Sequence, residues 1–285
     1  MGAALGTKRR VPRRGADTRA VQLAAAEKMI AAANKLTNEE FTDEYIKPSD
    51  ESWPTWTHPK TAAKYSMSLR SPEDMSDAEL EACYDIVENT SGKDYRGASV
   101  GWHPEAKRAE MRSAGLRYIL VKRTRDARGD DGDHAEAVNE GIRRDETGPG
   151  GDIRAFTSFM PTFEDNQPVI YCYEIHLLPD MAKTGLGKLL MGHVTAAADR
   201  IETLEKTMLT CFVSNAHARR FYENLGFDVD ESSPRPRRLR RDKVIEPEYV
   251  ILYKRTKRGG GDDGDAEAQG QEGEGEKHKE KRVKT

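Results

Sequence analysis

Cysteine is scarce. The 285 residues hold three, Cys83, Cys172 and Cys211, scattered without the paired spacing of a metal site or a disulfide framework. That usage suits a reducing compartment, and residence in nucleus and cytoplasm is expected. Long apolar runs are missing as well. Nothing approaches the roughly 20 residues of a membrane helix, so no membrane partner is expected. The opening MGAALGTKRRVPRRG lacks the apolar stretch of a secretory leader. Gly6 stands where a myristoylation signal needs Ser or Thr. There is no excess of one charge either, since 46 Lys and Arg face 49 Asp and Glu, for a net charge of -3. The average hides blocks: basic at the start, acidic in the middle, mixed at the end. With 33% charged and 36% hydrophobic residues, part of the chain is expected outside any core. No internal repeat is visible.

What is present divides into four parts. Residues 1–15 form a basic tail, in which KRRVPRR (Lys8 to Arg14) suits nuclear import, a nucleic-acid contact or plain solvation. Residues 16–50 hold a helical segment whose stripe runs Val21, Leu23, Ala24, Ala25, Met29, Ile30, Ala33. Residues 51–257 mix strands and helices, interrupted at 124–151 by a Gly-, Asp- and Arg-rich insertion without apolar period. Residues 258–285 are a charged, Gly-rich tail expected to be disordered. Within the third part, YSMSL, GLRYILVKR, AFTSFMPTF, QPVIYCYEIHLL, TMLTCFV and EYVILYKR read as strands. Ser76 and Glu79 make a capping box before an amphipathic helix. A second helix begins near Gly185, its apolar residues running Leu186, Leu189, Leu190, Val194, Ala197, Ile201, Leu204. NAHARRFYENLGF reads as a short helix capped by Gly226.

Between the strand QPVIYCYEIHLL and that second helix lies KTGLGK. A helix N-terminus leaves N–H donors unpaired and carries partial positive charge. Glycine lets a phosphate approach the backbone closely. The segment is not a Walker loop, lacking Gly-Lys-Ser/Thr, nor a Rossmann fingerprint, lacking the third glycine and the later acid. Taken with a following strand, Asn215, and a helix carrying Ala218, Phe221 and Tyr222, it resembles the GNAT acetyltransferase superfamily. VIYCYEIHL, KTGLGK, MLTCFVSNAHARRFY, DESSP and EYVILYKRTKRG, in this order, look like the N-terminal acetyltransferases of the NatD type. GWHPEAKRAEM, with Tyr95 seven residues before Trp102, is similar to that family's Trp segment.

The resemblance implies an α/β GNAT acyltransferase fold: a mixed, mostly antiparallel central sheet flanked by helices and splayed near YCYEIHLL. It implies the use of acetyl-CoA; no metal is implied, and a monomer is expected. The expected activity is transfer of acetyl to the N-terminal amine of histone tails beginning Ser-Gly-Arg-Gly, in a ternary complex. Two rivals stand beside it: a GNAT enzyme for lysine side chains or a small amine, and a CoA- or histone-binding module without turnover.

Amine acetylation needs a neutral amine, a polarised thioester and a protonated leaving thiol. Glu174 is placed to take the amine proton directly or through water, against a plain salt-bridged carboxylate. A backbone N–H near Leu177 would serve as oxyanion donor. Tyr222 is a candidate to protonate the thiolate, against simple packing. Cys172, mid-strand among apolar residues, is a poor nucleophile. The resemblance places His176, Leu177, Leu178, Lys183, Thr184, Gly185, Leu186, Gly187, Lys188, Leu189, Thr210, Asn215 and Ser232 along the cofactor. It places Tyr95, Trp102, Glu164, Tyr173, Glu174 and Tyr249 toward the peptide, with Glu164 near the arginine at peptide position three, and Tyr171 is expected either to join the aromatic wall or to pack in the core. On a regular strand Tyr173 and Glu174 point to opposite faces, a parity that a bulge would break. Three departures stand out. Ala182 replaces Gln or Arg ahead of the glycine turn, Val100 replaces a Trp and Thr162 an Asp. The basic loop PRPRRLRRDK (Pro234 to Lys243) would offer a weak nucleosomal DNA contact or only a solvated crossover.

Overall fold

The computed structural model describes residues 14–47, 53–124, 152–238 and 244–258. Residues 8–13 of the basic cluster, residues 125–151 of the insertion, residues 239–243 of the basic loop and the tail from 259 lie outside them.

Helix α1 (Arg14–Lys35) comes first, then α2 (Asn38–Phe41), which continues into a π-helical turn over Thr42–Ile46. The buried stripe of α1 is Ala26, Ile30 and Ala33. Val21, read from sequence as part of that stripe, is 69% exposed, because in an alanine-rich helix the choice between faces is left to the packing partner. Strands β1 (Thr55–Thr57) and β2 (Lys64–Arg70) precede α3 (Asp77–Gly97), which starts at the expected capping box of Ser76 and Glu79. Such a cap contributes about 1 kcal/mol. Then come α4 (Pro104–Met111), β3 (Arg117–Arg123), β4 (Ile153–Glu164) and β5 (Gln167–Leu177). Helix α5 (Leu186–Arg200), β6 (Lys206–Phe212), α6 (Ala216–Asn224), β7 (Asp228–Val229), β8 (Arg237–Arg238), β9 (Val244–Ile245) and β10 (Tyr249–Arg255) complete the chain. Ile201 and Leu204 prolong the apolar pattern of α5 but lie beyond its end, buried in the connection to β6.

The main sheet has the order β1-β2-β3-β4-β5-β6-β10-β7. Every neighbouring pair is antiparallel except β5 and β6, which are parallel. Helices cover both faces, as the buried run of β3 requires. One apolar layer joins α1, α2, α5 and α6 to the sheet; the other joins α3 and α4 to β3 and β4. No helix among the described residues is long and apolar enough to cross a membrane.

Two irregularities shape the centre of the sheet. The β4–β5 register jumps from Ser158 opposite Glu174 to Phe159 opposite Cys172, so Tyr173 is an extra, bulged residue. Strand β5 also pairs with β6 only over Val169–Cys172, opposite Lys206–Leu209. Beyond that the two strands part, and a notch opens between Tyr173–Leu177 and Thr210–Phe212.

Candidate active site

The notch opens into a cavity of about 880 Å³. The bulge decides what faces it. On a regular strand Cys172, Glu174 and His176 would share one face. Instead Cys172 joins the layer under α5, while Glu174 and His176 turn toward α3 and α4. Tyr173 packs against that same α3–α4 layer. The opposite-face expectation for Tyr173 and Glu174 therefore fails, for the reason that a bulge resets parity.

Glu174 sits at the centre of a buried polar cluster. Lys107 Nζ donates to its Oε1 at 2.9 Å, and His176 Nε2 lies 2.5 Å from its Oε2. Lys107 and Glu174 are 6% and 8% exposed. Lys107 also donates to the Tyr95 hydroxyl at 3.0 Å and to Glu110 at 3.0 Å. Burial alone would push the Glu174 carboxyl up, but His176 and Lys107 outweigh it and hold it at about 2. Burial alone would lower Lys107, but Glu174 foremost, with Tyr95 and Glu110, outweighs it and raises the lysine. Glu174 is thus a fixed, ionised carboxylate.

Aromatic side chains line the α3 side. Tyr95 packs edge-on against Trp102 at 5.2 Å and against Phe212 at 4.9 Å. The rings of Tyr171 and Tyr173 lie 5.2 Å apart, and the Tyr171 hydroxyl is 2.6 Å from Thr210 Oγ1. Burial pushes the Tyr171 phenol up to about 12. Tyr249, 41% exposed, stands at the rim.

At the other end of the notch the chain turns into α5. Lys183 (φ 57°) and Gly185 (φ 89°) are both left-handed, conformations that for lysine cost about 1–2 kcal/mol and concentrate at functional sites. The Thr184 hydroxyl donates to Met181 O at 2.6 Å and holds the turn. Gly185 at the N-cap offers no side chain to α5, the Leu186 N–H reaches Thr184 Oγ1 at 3.5 Å, and the first backbone bond is Leu189 N–H to Gly185 O. A Cβ at Gly185 would meet nothing within 4 Å, so the turn opens onto free space. Lys183, Lys188 and Arg220 bring cations to the same cavity. The first-turn N–H donors of Gly187 and Lys188, the helix N-terminus and the open space form a seat that fits a diphosphate.

Between the two ends runs the open edge of β5. Leu178 N–H donates to Arg154 O on the β4 side. By strand alternation the N–H groups of Ile175 and Leu177 face the notch. Tyr222 lines it from α6, its ring 5.2 Å from Phe221 and 5.9 Å from Phe227. Burial pushes its phenol well above the ordinary value, so it stays protonated.

Of the residues picked from sequence, Tyr95, Tyr171, Tyr173, Glu174, His176, Leu177, Lys183, Gly185, Gly187, Lys188, Thr210, Asn215, Tyr222 and Tyr249 line this cavity. Asn215 also caps α6, its Oδ1 accepting from Ala218 N–H at 3.0 Å. Several others stand elsewhere. Trp102 supports Tyr95 and Tyr84 from behind. Leu178, Leu186 and Leu189 pack into the core. Glu164 and Ser232 line a separate cavity of about 240 Å³ with Asp165, Lys206, Asp230, Glu231 and Arg235. Lys107 was missed. Its signal is the pairing with Met111 one helical turn on, both buried on one face of α4. Cys172 is buried and its thiol is pushed up to about 12, which disfavours the thiolate. Among the described residues no cluster of His, Cys, Asp or Glu could hold a metal ion.

A strand that peels from its parallel neighbour and leads through a glycine turn into an uncapped helix gives the molecule the GNAT acetyltransferase fold. The sequence profile described as "Acetyltransferase (GNAT) family" matches residues 124–227. The chain is also homologous to N-alpha-acetyltransferase 40 of Saccharomyces cerevisiae, with 31% identity over 186 residues, covering 56% of this chain and 55% of that protein. It thus spans about half the length of the curated relative it matches. Among solved structures, Arabidopsis thaliana NAA60 in complex with a bisubstrate analogue is similar at a TM-score of 0.42 and 10% identity, over 67% of this chain and 99% of that one. Spermidine N-acetyltransferase from Vibrio cholerae, in complex with CoA and spermine, is similar at 0.40 and 12%, over 67% and 95%.

Proposed function

We propose that the protein is an acetyl-CoA-dependent N-alpha-acetyltransferase acting on histone tails that begin Ser-Gly-Arg-Gly. The observation that carries the reading is the notch itself, which joins an uncapped helix N-terminus to a buried carboxylate along an unpaired strand edge. The N–H groups of Gly187 and Lys188 would hold the diphosphate, and the open edge of β5 would run beside the amide arm behind it. Acetyl-CoA supplies an acyl thioester. The Leu177 N–H donates to the thioester oxygen as charge develops there. The Tyr222 hydroxyl, lining the same cavity, gives its proton to the departing sulfur. The peptide amine enters between Tyr95, Tyr171, Tyr173 and Tyr249 and loses its proton toward Glu174, directly or through one water. It attacks the thioester in a ternary complex, and no acyl-enzyme on Cys172 is used.

The histone choice rests on acidic chemistry beside the amine site. Glu164, Asp165 and Glu231 line the smaller cavity beside Arg235 and the Lys206–Asp230 pair, and the acids in excess suit a basic residue early in the peptide. The exposed hairpin of Arg237 and Arg238 is available for phosphate contacts on nucleosomal DNA. The test compares initial rates on a lysine-containing peptide that begins Ser-Gly-Arg-Gly, with a free and with a blocked amino end. Loss of activity on blocking supports the reading. Equal rates would assign the activity to side-chain amines instead.

A further inference from the structure

Glu174 poses a chemical problem for the function just proposed, on which this inference rests. Both its oxygens already accept hydrogen bonds, from Lys107 and His176, and a carboxylate so held is a poor place for an amine proton to rest. The cluster contains one group of a better kind. Imidazole is the side chain whose ordinary charge change falls near neutrality.

The geometry fixes which nitrogen of His176 is available. Thr90 Oγ1 lies 2.6 Å from Ile86 O and 2.6 Å from His176 Nδ1. A carbonyl oxygen only accepts, and two oxygens at that separation need a proton between them, so the single Thr90 proton goes to Ile86 O. The Thr90 oxygen is left to accept, and Nδ1 must carry a hydrogen. Nε2 is therefore the nitrogen that gains and loses a proton. It lies 2.5 Å from Glu174 Oε2. A bare nitrogen and a carboxylate oxygen repel at that distance, so the geometry suits a proton held between the two.

We propose that His176 Nε2 is the resting place of the proton that leaves the substrate amine, with Glu174 as its counter-charge and Thr90 as the positioning residue that fixes the ring tautomer. The ammonium N–H bond breaks, its electron pair stays on nitrogen as the nucleophile, and an N–H bond forms at Nε2. The route runs past Glu174 Oε2 or through one water. The pair passes from an anionic carboxylate beside a neutral ring to a carboxylate beside an imidazolium. After product leaves, the proton returns to solvent through the cavity that His176 lines. The groups that face the ring are Glu174 on its own strand, Thr90 on α3, and Phe156 on β4 at 5.7 Å. Lys107 and Glu110 on α4, with Tyr95 on α3, close the cluster behind Glu174. Lys107 keeps its charge throughout, so the ring is the member of the cluster placed to take up the proton.

Two measurements on the full chain test this. In protein labelled with ¹⁵N-histidine and free of ligand, the His176 ring signals are assigned by their absence in His176→Gln and followed from acid to alkaline pH. Expected is an Nδ1 that stays protonated and an Nε2 that titrates. Titration at Nδ1, or no titration, overturns the proposal. In steady-state assays His176→Gln, whose amide still donates to Glu174, should lower kcat on the order of 10²-fold and lose the acid limb of its pH profile, with peptide KM within about twofold. Thr90→Ser should keep the limb and Thr90→Val should shift it. A His176→Gln enzyme with the wild-type kcat and pH profile overturns the relay alone. Should that variant fail to fold, Thr90→Val carries the test, and an unshifted limb overturns the relay. Wild-type protein that acetylates no peptide overturns the proposed function and this inference with it, whatever the ring nitrogens do.

Discussion

Replacing Lys107 with methionine keeps most of the side chain's length and removes its charge. Lys107 and Glu174 are both buried, with nitrogen and oxygen 2.9 Å apart. Removing one partner of such a pair strands the other in a medium that solvates it poorly, at a cost of about 3–5 kcal/mol. Domains of this kind hold about 5–15 kcal/mol in total, so the loss is a large share. At about 2–4 °C per kcal/mol for a domain of this size, Tm should fall roughly 6–20 °C. The sign of the pH dependence follows from Glu174. Its folded carboxyl lies at about 2, below the ordinary carboxylate range. The stability it contributes is present above that range and lost as pH falls through the folded value. The gap between wild type and Lys107→Met should therefore be full at neutral pH and shrink on acidification. The double variant Lys107→Met/Glu174→Gln should be more stable than the sum of the single losses predicts, by about 0.5–3 kcal/mol. Urea denaturation followed by circular dichroism at several pH values supplies these numbers. A cost below about 1 kcal/mol, as for an exposed pair, or strict additivity, would refute the argument.

Gly185→Ala leaves packing intact, since nothing lies within 4 Å, but costs about 1 kcal/mol for its φ of 89°. It should also weaken acetyl-CoA binding in calorimetry, and unchanged affinity would remove the turn from the phosphate site. Tyr222→Phe keeps the ring contacts with Phe221 and Phe227 and should lower kcat on the order of 10²-fold at constant peptide KM. A wild-type kcat would hand the thiolate's proton to water. Burial raises the Asp230 carboxyl, but Lys206 and Ser232 outweigh it and leave it depressed. Its contribution should persist above the ordinary carboxylate range and fade as pH falls through the folded value. Asp230→Asn should flatten the acid side of the Tm–pH curve, and a curve parallel to wild type would contradict this.

Much of this was legible in the sequence because local signals and tertiary demands agree. The capping box at Ser76, the strand-turn-helix of KTGLGK and the buried run of β3 each state their own structure. The bulge at Tyr173 was not legible, because strand parity is set by the partner strand and no residue in YCYE announces an extra position. Lys107 was missed for a related reason. A lysine in a charged helix reads as solvated until a carboxylate on a distant strand is known to meet it. The same holds for His176, read from the linear order as a cofactor neighbour and found bridging Glu174 to Thr90. Glu164 and Ser232, which the resemblance places along the substrates, line a smaller neighbouring cavity with Lys206 and Asp230.

Calorimetric titration with acetyl-CoA and, in parallel, with acetyl-pantetheine asks most directly whether the uncapped start of α5 seats a diphosphate. The account predicts clear saturable heat with acetyl-CoA and a large loss of affinity when the diphosphate is absent. Equal affinity for the two compounds, or no heat with either, would contradict it.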